Sequence, residues 1–371
     1  MNIIKKIIVF LFDCRIYFII SQKIHFIYNN INNKARISKK DLRNYKIFWK
    51  NYRLNPKKKW YKVYASISGY KDPRYISEYI YYTKIEPRLN HRGLSEAFCD
   101  KNLYHKFIDH KYLPRIFLRN IEGVFYNEDY DLITSTDLNI IPEETLKLVL
   151  KNSLETGGGR NIEVFHKISG SLININGEDL FVKITQNKRK KNYLLQEYIE
   201  QDSYFKKFNP SSVNTVRILT YRSIKDNRII ILQAVLRIGR RGQIVDNQAS
   251  GGYVCGIEEN GTLRSFAIDK FGHKYQKVNN LELNNESKVL FYKEICLVAK
   301  DLARLFPYHR LLGFDFAIDL EKRIRLIEIN NRNNEINFYQ MNNGPLFREY
   351  TEEILQFIRK SPRYFALDYE N

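Results

Sequence analysis

Apolar and polar positions alternate most clearly near the carboxyl end of the chain. Residues 311–319, Leu-Leu-Gly-Phe-Asp-Phe-Ala-Ile-Asp, and residues 325–330, Arg-Leu-Ile-Glu-Ile-Asn, are separated by Leu320-Glu321-Lys322-Arg323, a pattern that predicts two strands joined by a hairpin. Side chains at i and i+2 share one face of a strand, so Glu328 and Asn330 are expected to point one way and Ile327 and Ile329 into the core. Asp315 can converge with them. Two carboxylates and an amide oxygen on one face make a hard, oxygen-only set suited to Mg2+; a solvated strand face is the plainer alternative. Facing carboxylates destabilise a ladder unless something neutralises them, as a cation would.

The same patterning predicts elements along the rest of the chain. Residues 3–28 are apolar with basic interruptions at Lys5, Lys6 and Arg15. Their longest uncharged run is too short to span a bilayer, and no small-residue cleavage site follows. An amphipathic helix is expected, lying either on the body of the protein or on a membrane surface. Residues 34–59 are polar and basic, with Trp49 and Trp60 as anchors and a turn at Asn55-Pro56. Residues 69–82 are rich in tyrosine and either pack into a core or wall a sugar site. Residues 94–109 read as a helix with an internal cap at Asp100, followed by an extended segment at 113–118. Pro142-Glu143-Glu144 opens a short helix, residues 148–152 form a buried strand containing Lys151, and 180–186 and 193–199 are two further strands. The strands at 211–221 and 229–238 each hold an arginine, Arg217 and Arg237, among apolar neighbours. Residues 287–306 form an amphipathic helix and 348–359 a closing one.

Composition adds bounds. A chain of 371 residues has room for two or three subdomains, and 44% apolar content fits a globular protein. Its four cysteines form no CxxC pair, which argues against a zinc site or disulfide framework and for a reducing compartment. The seven histidines show no ligand spacing. Of the net charge of +20, residues 1–60 carry +13, from 15 Lys and Arg against Asp13 and Asp41. Such a basic head suits an anionic partner: a membrane surface, an acidic glycan or a nucleotide. Nucleic acid ranks last, because no zinc finger, basic zipper or aromatic RNA-binding motif accompanies the charge.

Three features extend the candidate chemistry. Gly157-Gly158-Gly159 would let backbone N–H groups approach a polyanion, with Lys151 supplying a point charge. This is not the GxxxxGK[ST] loop, since the lysine precedes the glycines; a simple hairpin turn is the alternative. Arg217 and Arg237, costly inside apolar strands, imply buried ion pairs or a phosphate site.

Taken in order, these residues resemble the ATP-grasp superfamily, most closely its sugar-transfer-associated branch. The resemblance runs from about Asp100 to Phe347, through Asp100-Lys101, Lys151 before the glycines, Gln196-Glu197-Tyr198-Ile199, residues 212–217, Leu236-Arg237-Ile238-Gly239, Asp246-Asn247 with Gly251-Gly252, Gly313-Phe314-Asp315 and Ile327-Glu328-Ile329-Asn330. It implies an α+β ATP-grasp fold, two α+β subdomains gripping ATP, with a basic helical amino-terminal extension. The corresponding division is 1–95, 96–195 with the glycine-rich lid loop, and 196–371 with the metal site. Lys101 and Lys151 would contact the ATP phosphates and Gly157, Gly158 and Gly159 close over them. Glu197 and Ile199 would present backbone groups to adenine, with Gln201 or Asp202 near the ribose. Asp315, Glu328 and Asn330 would hold Mg2+, and Arg217 with Arg237 would face the γ-phosphate or acyl phosphate as catalytic groups. Gly313 stands where an arginine is often found, and residues 331–335 are more polar than the family's usual turn.

The activity so implied is an ATP-dependent carboxylate-amine ligase, acting on a sugar acid in cell-surface polysaccharide biosynthesis and forming an amide through an acyl phosphate. Its partners would be a small-molecule or glycan-linked carboxylate and an amine. The expected location is cytoplasmic, with residues 1–60 as a contact to the inner membrane face or to a glycan-assembly complex. A phosphotransferase of the same fold and a non-catalytic nucleotide-binding module are the competing readings.

Overall fold

The computed structural model describes residues 3–134, 141–154, 162–186, 191–243, 246, 248–284 and 286–361. Three helices open the chain: α1 (Ile3–Asn30), α2 (Lys39–Asn51) and α3 (Lys58–Ser68). Ser38 and Asp41 form a reciprocal capping box at the start of α2, and α3 stops at Gly69 in the left-handed region, φ 85°. Trp49 and Trp60 are fully buried, as their anchor role requires.

Two antiparallel sheets follow. The first comprises β1 (Ile116–Ile121), β2 (Val124–Tyr126), β3 (Lys147–Asn152), β4 (Glu163–Ile168), β5 (Ser171–Asn174) and β6 (Tyr193–Glu197), in the order β2-β1-β6-β3-β4-β5. The second draws on β7 (Thr215–Arg222), β8 (Ile229–Ile238), β9 (Tyr253–Ile257), β10 (Leu263–Ile268) and β11 (Lys274–Tyr275). A short hairpin, β12 (Lys277–Val278) with β13 (Leu281–Glu282), precedes β14 (Leu311–Ile318) and β15 (Ile324–Asn330). The second sheet runs β11-β10-β9-β8-β7-β14-β15.

This sheet is apolar on both faces for a reason visible along β14. Leu312, Phe314, Phe316 and Ile318 join the core under the helix Tyr292–Arg304, together with Val216 and Ile218 of β7. Leu311 on the opposite face joins a core built with Leu219, Tyr221, α1, α2, α3 and the helix Thr351–Lys360. The amino-terminal helices therefore share one core with the large sheet. Alternation survives as a choice between two cores, and it is on the Leu311 face that the odd-numbered Asp315 lies.

Three sequence expectations change, and one pair of alternatives is narrowed. Residues 180–186 form a helix, Leu180–Gln186, in place of a strand: Asp179 accepts from the Val182 backbone at 3.1 Å, and Leu180 and Ile184 are buried at i,i+4 spacing. Pro142-Glu143-Glu144 makes a turn and no helix, because Thr145 N donates to Pro142 O and the chain enters β3 directly. The predicted helix at 94–109 is broken at Asp100: Arg92–Cys99 is α-helical, and Asp100 accepts from Asn102 N to start a 3-10 turn, Lys101–Lys106. In the tyrosine-rich stretch core packing holds for Tyr75 and Tyr81, which are fully buried, with Tyr75 against Tyr61 and Tyr64, while Tyr70 is exposed.

Candidate active site

Ladder register builds the site. Arg217 on β7 pairs with Asp315 on β14, which pairs with Glu328 on β15, so three charged residues stand in one row across three strands. Arg217 donates from Nε and Nη2 to the two oxygens of Asp315, the first contact at 2.5 Å. Arg237, on the neighbouring strand, donates Nη1 to Asp315 Oδ2 at 2.7 Å and approaches Asp246 at 3.3 Å. Thr215 also donates its hydroxyl to Asp246. Burial opposes the charge on Arg217, yet the Asp315 carboxylate raises its pKa above the usual value. The in-strand arginines are thus ion-paired with the carboxylate expected to bind metal, and the facing acids are neutralised by protein cations.

Lysines reach this row from the other sheet and its approach. Lys101 Nζ lies 2.7 Å from Glu328 Oε1. Burial would raise the Glu328 pKa, but Lys101, with Arg217 and Arg237 behind it, brings it down to about 2. Lys151, in β3, is buried; desolvation and the adjacent Lys101 charge lower its pKa to about 7, with Glu328 opposing. Between the sheets lies a cleft. Val149, Lys151 and Val164 line it from the first sheet, and Arg237, Asp315, Ile327 and Glu328 from the second. Tyr198 and Ile199 cover the segment between them, giving the cleft an apolar wall beside a charged end.

One wall residue departs from strand alternation. Asp315 pairs with Glu328 but Phe316 pairs with Leu326, so Ile327 is the extra residue of a β-bulge and faces the cleft beside Glu328 instead of entering the core. Nothing in the sequence marks that bulge. The sequence did not single out Thr215 or Asp246 as site residues, although both lie in segments that carry the resemblance.

Other expected residues fall elsewhere. The Glu197 carboxylate pairs with Arg325 and accepts from Arg115 N at 3.0 Å, and the Glu197 N–H donates to Arg115 O at 2.9 Å, so neither its carboxylate nor its N–H is left for a ligand; Ile199 lines the cleft. Gln201 is buried and donates to Asn209 O and Ser212 O while accepting from Asn214 N. Asp202 caps the short helix Ser203–Lys206 by accepting from Tyr204 N. Neither is brought to the cleft wall. Gly157, Gly158, Gly159 and Asn247 lie outside the described residues.

Glu328 and Asn330 offer hard oxygen donors on one strand, and the Asn330 amide nitrogen is buried with no partner among the described residues. They fit a Mg2+ ion that takes the rest of its shell from phosphates and water. Asp315 fits only if it exchanges its guanidinium partners. Among the described residues no group of three or more His, Cys, Asp or Glu side chains is placed to hold a metal ion.

Residues 81–356 match the family described as sugar-transfer associated ATP-grasp. No curated protein matches the sequence. Among solved structures, N5-carboxyaminoimidazole synthetase from Staphylococcus aureus is 11% identical with a TM-score of 0.36, covering 72% of this chain and 54% of that one. D-alanine–D-alanine ligase from Bacillus anthracis is 9% identical, TM-score 0.36, covering 71% and 66%. The biotin carboxylase domain of the Hydrogenobacter thermophilus 2-oxoglutarate carboxylase is 16% identical, TM-score 0.39, covering 72% and 46%. The chain thus aligns with about half the length of the synthetase.

Proposed function

The chain belongs to the sugar-transfer associated ATP-grasp family, and from that premise we propose that it is an ATP-dependent ligase joining a carboxylate to an amine through an acyl phosphate. One observation carries the reading: Lys151, Arg237, Asp315 and Glu328 line a single cleft with an apolar wall, and Lys101 reaches Glu328 at 2.7 Å. A carboxylate is a poor acyl donor because oxide is its leaving group. Attack of its oxygen on the γ-phosphorus of ATP releases ADP and replaces that leaving group with phosphate. The amine then adds to the acyl carbon, phosphate departs, and the nitrogen gives up a proton.

Two anions must meet for the first step, which is work for cations. In this reading Lys101 and Lys151 hold the phosphates under a lid containing Gly157, Gly158 and Gly159. The Ile199 side chain, the Glu197 carbonyl and the Ile199 backbone seat the adenine, with Gln201 or Asp202 near the ribose. Mg2+, on Glu328 and Asn330 with Asp315 joining, would screen the phosphate charge. Arg217 and Arg237 then have the transferring phosphate as the anion that replaces Asp315. Residues 96–195 and 196–371 act as the two gripping lobes. The carboxylate is a sugar acid of a cell-surface polysaccharide, assembled on the cytoplasmic side.

Incubation with Mg2+, ATP, sugar acids and amines should yield an amide and ADP, detected by mass. Glu328→Gln or Lys151→Ala should abolish ADP release while leaving the thermal transition in place; full activity in either sinks the assignment. Because both Asp315 oxygens are engaged by arginine, a nucleotide-binding module without turnover is the second reading. It would bind ATP and release no substrate-dependent ADP, whereas a phosphotransferase would leave a phosphate ester.

A further inference from the structure

Helix α1 is apolar on two opposite sides, and the fold uses one of them. Ile20, Ile24, Ile27 and Ile31 are buried in the core shared with α3 and the large sheet. At 100° per residue they cluster on one side of the helix. Ile7, Leu11 and Phe18 fall opposite them, flanked by Ile8, Phe10 and Ile19. These six side chains are 37% to 65% exposed. A helix that is apolar all round is normally covered. No helix among the described residues is long and apolar enough to cross a membrane.

Charge selects what covers it. Residues 1–60 carry a net +13, and Lys6 and Arg15 are exposed on α1 itself. A second copy pairing through this face about a two-fold axis would bring two such regions together, which like-charge repulsion opposes. An anionic bilayer surface satisfies both features, taking the apolar side chains among its acyl chains and the lysines and arginines among its headgroups. We propose that the outer face of α1, centred on Ile7, Leu11 and Phe18, docks this protein on an anionic lipid bilayer, with the helix lying in the membrane plane. Lys23, on the same helix, lies 2.7 Å from Glu335 in the segment just past Asn330. Helix α1 is therefore tied by an ion pair to the segment that follows the candidate metal donors. The inference stands independently of the ligase reading.

The test is flotation of the full chain with vesicles of phosphatidylcholine alone and of phosphatidylcholine mixed with phosphatidylglycerol. Binding should require phosphatidylglycerol and weaken as salt rises. The triple variant Phe10→Ser, Leu11→Ser, Phe18→Ser should partition at least about tenfold less, with an unchanged far-ultraviolet spectrum and melting temperature. A separate Phe10→Trp variant should be quenched by brominated lipids, which keeps the question decidable if the triple variant misfolds. Failure to float, equal flotation of a folded triple variant, or an unquenched Trp overturns the proposal. So does a lipid-free dimer that the triple variant abolishes, since the face would then be a self-interface.

Discussion

Lys151 carries its ammonium inside the cleft, where burial and Lys101 bring its pKa to about 7. The unfolded chain keeps this lysine protonated to about pH 10.4. Its burial therefore costs stability fully below pH 7, and the cost fades as pH rises toward the unfolded value. A bound polyphosphate would favour the charged form. Nucleotide binding at pH 8 should accordingly take up close to one proton, and binding at pH 6 almost none. Calorimetric titration in two buffers of different ionisation enthalpy measures this, and equal heats at pH 8 would remove Lys151 from the phosphate site. Asp315 poses the complementary case. Asp315→Asn leaves the Arg217 and Arg237 guanidiniums without their carboxylate, and urea unfolding should show a loss of about 3–5 kcal/mol. A change below about 1 kcal/mol would mean that the arginines find another anion. At this scale the sequence was informative about residue type: an acid and an amide at i and i+2, an acid on the neighbouring strand and arginines in apolar strands read as a charged site. It could not say that Asp315 and the two arginines are one another's partners, because the register linking β7, β8 and β14 is a long-range property.

At the scale of elements, the hairpin of β14 and β15 and the strands holding Arg217 and Arg237 were legible because alternation runs for several residues on each. Short apolar runs were not. Residues 180–186 suit a strand or a helical turn equally well, and the Asp179 cap decides for helix. The bulge at Ile327 likewise depends on how β15 meets β14, so the residue expected in the core lines the cleft. Gly313 is an element-level constraint with a direct test. A Cβ there would sit 2.7 Å from Asn334 Oδ1 and 3.4 Å from Asn330 Cβ. Gly313→Ala should therefore displace the segment that follows Asn330 and reduce ADP release at least about tenfold, while shifting stability by no more than the roughly 1–3 kcal/mol of local overpacking. Unchanged turnover would show that this segment takes no part in the reaction.

For the whole molecule, the decisive property is that two sheets of different origin close on one cleft. A ligand held by both should stabilise the fold: at a hundredfold excess over its Kd, Mg2+-ATP should add about 2.7 kcal/mol, visible as a rise in Tm that Lys151→Ala reduces. No rise in the intact chain would count against a nucleotide site. The order of motifs along residues 100–347 carried the resemblance to the family, and with it the α+β class, because motifs and the residue types they contain are local properties of a chain. The concentration of charge in residues 1–60 was equally explicit. Only the tertiary structure decided that α1 buries one apolar side in the large sheet's core and leaves the other exposed, and that Gln201 and Asp202 support backbone while Ile327 lines the cleft. It alone placed Arg217, Asp315 and Glu328 in one row. Each of these depends on which distant segments meet, and in what register, which no local pattern encodes.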